Sequence, residues 1–371
     1  MKEYAAKAMS AAKAAVTAAL FLYCIMYTEE AAAAVMGSVR RCTEIVIPSL
    51  YGMMMASSLV LRSGVTGYVP RWAGRLGRLV FGMGRDVLPV FTLGMLAGYP
   101  VGMKMLCEEY FCGRLEKGRA ELLAGLCFGA GPAFIFGCIS QRLYGSRNAG
   151  MAILASNAAA NILLALFAAV FLRRSAPKEQ ERRPLKLSAD MLTDCVLQSG
   201  RAMGSICVMT SAFSVFSAFL TRTGAVAAAG AFIGKLPDLD SGSGRILAAS
   251  LIDVTCLGEL PRSDWLLLPY ISAVTALGGA CVFFQLAALS SGKLSMKPFI
   301  IMRAAAAVMS FFICRLILPF FLETAAETAA AVNVSSARGA SPVPSVMLIL
   351  MTLLLMREFG TENRAETARL T

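Results

Sequence analysis

Apolar runs separated by short polar turns fill most of the chain, and several are nearly long enough, or long enough, to cross a lipid bilayer. A spanning helix needs about 20 predominantly apolar residues, and residues 149–172 form the cleanest such run, without a single charge. Shorter or interrupted apolar runs cover residues 45–61, 87–103, 122–141, 202–221, 224–234, 246–260, 265–292 and 298–322. The pattern predicts an all-α, polytopic membrane protein.

Two further apolar runs lie near the ends of the chain. Residues 14–28 follow three lysines and have the features of a signal peptide or of an uncleaved anchor. The anchor is favoured, because Glu29 and Glu30 would sit badly just before a cleavage site. Residues 345–356 are short for a full span, so we expect an accessory helix there, preceded by an Ala/Ser-rich linker at residues 323–344.

A polar segment, residues 173–187, interrupts the apolar pattern near its middle. It contains six Lys or Arg residues against two Glu, so the positive-inside rule places it in the cytoplasm. The segment divides the chain into a first half with its anchor, a second half, and a C-terminal region of linker, accessory helix and tail, at residues 1–172, 188–322 and 323–371.

The two halves share an order of features. Each has an apolar helix, then segments interrupted by Gly and Pro, then a closing helix. Interrupted hydrophobic segments in corresponding places of two halves are the best sequence pointer to a transporter site. Unwound backbone at membrane depth is tolerated only where it is buried in protein or lines a wet cavity. We therefore expect broken or re-entrant helices around a central site.

Composition agrees with a membrane setting and narrows the chemistry. Hydrophobic residues make up 57% of the chain and charged residues 16%, and the mean hydropathy is +0.66. The chain has no histidine, which excludes histidine-based catalysis and imidazole metal ligands. Its eleven cysteines are scattered without a C-x-x-C pair, a pattern typical of packing residues. We expect no catalytic residues, no metal and no cofactor, and therefore no enzyme.

The net charge of +12 requires no nucleic-acid partner. Cytoplasmic loops of membrane proteins are basic in any case. Arg75, Arg78 and Arg85 indicate an interfacial helix whose side chains reach lipid headgroups.

The most distinctive motif is GYPVGMK, which contains Gly98, Tyr99, Pro100, Gly102 and Lys104. Proline and glycine should unwind the helix here. A new half-helix would then begin near Gly102, and its free N–H groups together with Lys104 would suit an anion. The alternative, equally supported by this motif alone, is a plain helix end at the membrane surface with Lys104 paired to Glu108.

Two further breaks are predicted deeper in the apolar runs. Gly131 and Pro132 interrupt the first half, and Gly278 and Gly279 are their counterpart in the second. Gln285 follows as a polar side chain in an apolar run. It would bind a substrate or bond to a neighbouring helix, and the second role is the commoner one.

Asp253 is an acidic residue within an apolar segment, which makes it a functional candidate by default. It could take up a coupling proton or cation, or pair with Arg303. Two polar stripes lie on single helix faces, and helix packing is the favoured explanation for both. They are Asn157 with Asn161, and Thr210 with Ser214 and Ser217. Asn157 is nevertheless retained as a candidate substrate ligand.

Taken in order along the chain, several of these residues resemble a known family. They are Ile47-Pro48-Ser49-Leu50, the GYPVGMK motif with Glu108, Gly131 to Ile135, and Gly278 to Val282 with Gln285 and Arg303. The order resembles the YlbJ-type, or SpoVV, sporulation integral membrane proteins. These carry a Gate, or nucleoside-recognition, domain related to concentrative nucleoside transporters. The resemblance covers roughly residues 31–321. It departs at residues 128–130, where the family usually has Asn and Ser, and at Asn157 and Phe283, where the family often has histidine.

The resemblance implies two gate repeats of inverted topology and a role in endospore formation. It further implies movement of dipicolinic acid, a small aromatic dianion, across the outer forespore membrane. We therefore expect a transporter of a small organic anion, with the residues of the three breaks, Lys104, Asn157 and Gln285 as substrate ligands. The alternatives are a nucleoside-like solute transporter and a non-transporting sporulation scaffold. A homo-oligomer in the bilayer is compatible with each of these interpretations.

Overall fold

The computed structural model describes residues 2–84, 87–174, 187–261 and 264–331. Regular structure in these ranges is helical, and no strand occurs in them. The helices of the first half are α1 (Lys2–Met26), α2 (Thr28–Arg41), α3 (Ile47–Arg62), α4 (Arg71–Phe81), α5 (Leu88–Ala97), α6 (Val101–Phe111), α7 (Lys117–Leu126), α8 (Pro132–Phe134) and α9 (Arg147–Arg174). A π-helical segment, Cys42–Val46, joins α2 to α3, and a second, Ile135–Tyr144, extends α8.

The second half has six helices within the described ranges. They are α10 (Ala189–Arg222), α11 (Ala225–Ile233), α12 (Ser241–Ile252), α13 (Leu268–Leu277), α14 (Gly279–Leu289) and α15 (Lys297–Ala331). A 3-10 segment, Val254–Glu259, follows α12, and a short one, Trp265–Leu267, precedes α13.

Five helical stretches in the described ranges are long and apolar enough to cross a membrane. They are Thr28–Arg62, Arg147–Leu172, Ala189–Arg222, Trp265–Leu289 and Lys297–Leu322. Their outward faces carry large apolar side chains: Phe167 is 71% exposed and Leu316 is 73% exposed. Such faces are stable against lipid rather than water. Within the described ranges, the prediction of an all-α protein with helices long and apolar enough to span a membrane is confirmed, and the five stretches are compatible with an integral membrane protein.

The same order of elements occurs twice. In each half a long helix is followed by a short helix, two broken helices and a second long helix. The first half runs α2–α3, α4, α5/α6, α7/α8 and α9. The second half runs α10, α11, α12 with its 3-10 segment, α13/α14 and α15.

Three of the four breaks lie at the predicted Gly and Pro residues. The chain leaves α5 at Gly98, whose φ of +83° suits glycine, and re-enters a helix at Val101. It leaves α7 before Gly131 and α13 at Gly278. The fourth break is at Asp253, where neither Gly nor Pro marks it. There the carboxylate accepts from the backbone of Thr255 and so caps the 3-10 segment.

The long helices of the two halves pack in antiparallel pairs. Along α2–α3 and α10, Glu30 faces Arg222 at one end and Arg62 bonds Gln198 at the other. Along α9 and α15, Asn148 donates to the Phe321 carbonyl and Asn161 accepts from Arg303. The broken helices pack against these pairs: α5 and α6 contact α3, α14 contacts α10, and α7 and α13 contact α15.

The two breaks of the first half cross with almost no space between backbones. The Tyr99 amide donates to the Gly129 carbonyl at 2.8 Å. A Cβ at Gly98 would lie 2.7 Å from the Gly131 backbone, and one at Gly102 would lie 2.0 Å from the Cys127 carbonyl oxygen. Gly102 is therefore required for close helix packing.

Some predicted segments differ from the structure or fall outside it. Helix α15 continues to Ala331, past the expected start of a linker at residue 323, because the Ala- and Glu-rich sequence there favours helix. Residues 14–28 overlap α1, whose apolar part, Lys13–Met26, is short for a span. Residues 175–186 of the basic linker and the accessory helix predicted at 345–356 lie outside the described residues.

Candidate functional site

A small cavity, here called the inner cavity, lies where the broken helices meet. Its volume is about 50 Å³, enough for a few water molecules because one water needs about 10–15 Å³ on this measure. The polar or backbone groups that line it come from α3, the breaks after α5 and α7, α10, the 3-10 segment after α12, and α14. They include Ser49, Tyr99, Gly131, Thr210, Asp253, Thr255 and Gln285. Five of these residues were singled out from the sequence as site or stripe residues: Tyr99, Gly131, Thr210, Asp253 and Gln285.

Asp253 is an acidic residue of the inner cavity whose carboxylate is only half satisfied. It is 2% exposed, and its Oδ1 accepts from the Thr255 amide at 3.0 Å and the Thr255 hydroxyl at 2.8 Å. Its Oδ2 is buried without a partner among the described residues. A buried polar atom costs free energy unless it is paired, so this oxygen is left for a proton, a cation, water or a ligand.

The Tyr99 hydroxyl is a second buried atom without a partner in the described structure. The ring of Tyr99 stacks on Phe128 with centroids 4.5 Å apart. Phe128 also packs edge-on against Phe299 at 5.0 Å and fills the space beside Gly278, where a Cβ would lie 2.5 Å from its ring. Two residues that line this cavity, Tyr99 and Asp253, thus each have a polar atom without a partner among the described residues.

Gln285 and the start of α14 form the wall of the cavity from the second half. The Gln285 amide donates to the Thr210 hydroxyl at 3.1 Å and so bonds α14 to α10, while its side chain also lines the cavity. Cys281 and Val282 line it from the first turn of α14. The N-terminal end of a helix favours negative charge nearby.

A larger cavity of about 550 Å³, here called the outer vestibule, reaches Asp253 from the protein surface. Asp253 lines both cavities. Small residues of α2 and polar residues of α10 wall the vestibule: Ala33, Ala34 and Gly37, and Ser214, Ser217 and Thr221. Two ion pairs complete the lining, Glu30 with Arg222 and Arg41 with Glu259. Two members of the Thr210 stripe, Ser214 and Ser217, therefore face this space.

Arg41 and Arg222 are the basic residues of the vestibule, and neither was predicted from the sequence. Arg41 donates to Glu259 at 3.1 Å and to the Ser214 hydroxyl at 3.0 Å. Arg222 lies 3.6 Å from Glu30 and over the Tyr27 ring at 4.4 Å. The residues that they contact are distant in sequence, so no local pattern marked either arginine. The polar stripe on α10 was the signal that could have led to them.

Lys104 lies away from both cavities. It is buried and donates to the Ser58 hydroxyl at 2.7 Å and the Ser199 hydroxyl at 3.0 Å. Glu108 lies 4.0 Å from it and 3.6 Å from Arg62. This Lys104 cluster ties α6 to α3 and α10. The structure thus places the GYPVGMK lysine in an internal network that contains the Glu108 contact considered in the sequence analysis.

Arg303 does not pair with Asp253, and that alternative was wrong. Its guanidinium donates to the carbonyls of Gly125 and Phe128 and to the Asn161 amide oxygen. These carbonyls end α7, and a cation at a helix C-terminus is favoured by the helix dipole. Arg303 therefore holds the end of a broken helix.

Asn157 also lies outside the cavity linings. Its Oδ1 accepts from Ser310 at 2.5 Å, and its Nδ2 donates to Thr275 at 3.1 Å. This buried network joins α9 to α13 and α15, as expected for polar residues between membrane helices. Pro100, Pro132, Gly278 and Gly279 lie at the breaks themselves, next to the site rather than in its polar lining.

Comparison with protein-family models, with curated proteins and with solved structures finds no match to this chain.

Proposed function

We propose that the chain is a membrane transporter that carries a small organic anion through the crossing of its broken helices. The observation that carries the proposal is the unpaired oxygen of Asp253, buried between the inner cavity and the outer vestibule. Ionisable residues within membranes are expensive, and they mark solute, ion or proton pathways. Dipicolinate is the first substrate to test, because the resemblance to YlbJ-type proteins implies it. The forespore membrane follows from the same resemblance.

We further propose that the two halves are inverted repeats. The repeated order of elements supports this, and so do the antiparallel pairs of α2–α3 with α10 and of α9 with α15. Transporters of this architecture bind solute where the repeats meet and move one repeat against the other.

The size of the inner cavity fits a closed stage of such a cycle. About 50 Å³ holds water but no aromatic dicarboxylate. The substrate would enter only after the halves move apart, while the vestibule of about 550 Å³ already accommodates a small molecule.

Asp253 would carry the coupling proton. An ionised carboxylate beside the path would repel an anionic substrate, whereas a protonated one would not. Protonation also neutralises a carboxyl group that has no cationic partner. The anion and the proton would therefore move together.

The test is uptake of labelled dipicolinate into proteoliposomes that contain the purified full chain. An inward proton gradient should drive uptake. Asp253→Asn should abolish gradient-driven uptake and retain exchange of internal for external dipicolinate. Asp190→Asn, an exposed residue in the first turn of α10, is the matched control. If wild-type liposomes neither take up nor exchange dipicolinate, the anion-transport proposal fails.

A nucleoside-like solute is a second candidate, favoured by the lining of the inner cavity. Asp253, Gln285, Thr210 and Tyr99 offer hydrogen-bonding groups, and no Lys or Arg lines this cavity among the described residues. Competition of uridine against labelled dipicolinate separates the two. Uridine that blocks uptake and is itself transported would favour the nucleoside-like substrate. Transport of neither solute would favour the scaffold.

The vestibule would face away from the cytoplasm. It lies at the Arg222 end of α10, whereas the basic linker joins the other end of α10, next to Arg62 and Glu108. A membrane-impermeant maleimide should label Ser217→Cys only from the non-cytoplasmic side. Cys112, exposed just after α6, should react only from the cytoplasmic side and serves as an internal control. The reverse pattern would overturn the orientation.

A further inference from the structure

We propose that Arg41 forms an anion-binding site in the outer vestibule, which holds a carboxylate of the substrate outside the inner cavity. Glu259 occupies this site when no substrate is bound. The inference rests on the transport function proposed above, and it adds a binding residue and a competing internal carboxylate to it.

The guanidinium of Arg41 has unused binding capacity. It donates through Nη1 to Glu259 and through Nη2 to Ser214, while its Nε is buried without a partner in the described structure. Its side chain is 23% exposed, so it is held in place but still reaches the vestibule. A guanidinium binds carboxylates through paired, parallel hydrogen bonds. Among the described residues, Arg41 bonds to one carboxylate oxygen, Oε1 of Glu259.

Glu259 is a partner that can be displaced. Its side chain is 56% exposed, in contrast to that of Arg41. Ion pairs with such a solvent-exposed member are weak, because water screens them and the long side chains lose freedom. A substrate carboxylate that enters the vestibule can therefore replace the Glu259 carboxylate on Arg41.

The walls of the vestibule lead a polar solute to this point. Ser217 and Thr221 continue the stripe of Ser214 towards the surface, and Ala33, Ala34 and Gly37 leave room opposite them. Asp253 lies at the inner end. The site thus stands directly before the proposed proton-binding carboxyl, and binding an anion there would bring its negative charge close to Asp253.

Arg41 and Arg222 are the basic residues that line the vestibule together with Asp253. Arg222 lies over the Tyr27 ring, whereas Arg41 donates to Ser214 and to Glu259 of the 3-10 segment that begins directly after Asp253. Arg41 is therefore the basic residue placed to bind an anion at this point.

The experiment measures equilibrium binding of labelled dipicolinate to the purified full chain in nanodiscs, with four variants. Arg41→Gln should weaken binding at least about tenfold, the loss expected for a charge-assisted hydrogen-bonded contact. Glu259→Gln should tighten binding severalfold, because it removes the competing carboxylate. Arg40→Gln is the matched control: Arg40 is the neighbouring residue, and it is exposed and paired with Glu44. Arg41→Lys should restore only part of the affinity, because the ammonium cannot form paired bonds.

The opposite signs of the first two variants separate binding from structure. A purely structural ion pair would be lost equally in Arg41→Gln and Glu259→Gln, and both would then lower thermal stability and affinity together. That outcome, or equal affinity of Arg41→Gln and Arg40→Gln, would overturn the Arg41 site while leaving transport by the wild type intact. If the wild type neither binds nor transports dipicolinate or any other small carboxylate, the proposed function itself fails.

Discussion

Lys104 and Asp253 are buried ionisable residues that each lie beside a broken helix, and they differ in how many of their polar atoms have hydrogen-bond partners. Lys104 follows the break at Gly98 and donates to two serine hydroxyls, with Glu108 and Arg62 close by. Asp253 forms the break after α12, and one of its oxygens has no hydrogen-bond partner in the part of the chain that the structure describes. Hydroxyl groups satisfy Lys104, which holds three helices together, although Oε1 of the nearby Glu108 has no hydrogen-bond partner in the described structure. Position beside a break thus does not distinguish the two residues, whereas an unpaired oxygen on a residue that lines two cavities does, and the proposed site rests on it.

Removing Lys104 should have the largest effect on stability. Lys104→Met should lower the free energy of unfolding by about 3 kcal/mol, at the lower end for a broken buried ion pair because Glu108 retains Arg62. Thermal unfolding in detergent measures this change. Dipicolinate binding to the folded fraction should remain unchanged. A stable Lys104→Met protein with weakened binding would instead place Lys104 in the binding site and erase the contrast with Asp253.

Gly102 fixes the helix that carries Lys104, and its substitution should have the next largest effect. Gly102→Ala puts a Cβ against the Cys127 carbonyl and should cost about 1–3 kcal/mol or more. Gly118→Ala in α7 meets nothing within 4 Å, so it should be neutral or stabilising by up to about 1 kcal/mol. Equal unfolding temperatures for the two variants would contradict the close crossing of α6 over the end of α7.

Neutralising Asp253 should show the reverse of the Lys104 result. Asp253→Asn should change the free energy of unfolding by less than about 1 kcal/mol, since no partner is left unpaired, yet it should remove proton-driven uptake. Unfolding and uptake measured on the same preparation give both values. A strongly destabilised Asp253→Asn protein would show that the carboxylate has a structural role like that of Lys104.

Tyr99→Phe should have the smallest effect. Loss of a hydroxyl that has no partner should change stability by less than about 0.5 kcal/mol. If water links this hydroxyl to Asp253, uptake should fall about twofold to tenfold, the worth of a single hydrogen bond. Uptake equal to that of the wild type would show that the Tyr99 hydroxyl does not contribute to transport and that Asp253 acts without it.

The sequence and the structure agree most closely where local rules apply. Hydropathy located the long helices, and Gly98, Gly131 and Gly278 marked three breaks, because glycine and proline act on the backbone next to them. The break at Asp253 has neither glycine nor proline, because the Asp253 side chain itself caps the 3-10 segment that follows. The site was only partly predictable. Gln285 and Asp253 stand out as polar residues in apolar runs, whereas Arg41 stands among basic residues at a helix end and gives no comparable signal.

By itself the sequence determined an apolar, helical, membrane-compatible chain whose two halves are broken at similar places, because bilayer length, backbone chemistry and hydropathy are properties of neighbouring residues. Only the tertiary structure decided which polar groups share a space. Lys104 meets Ser199, and Arg41 meets Ser214, across 95 and 173 positions of sequence. The packing of α2, α3 and α6 on α10 sets those distances, and no local pattern encodes them. The same packing gives the Lys104 ammonium two hydroxyl partners within the protein. It leaves one oxygen of Asp253, a residue that lines both cavities, without a partner among the described residues.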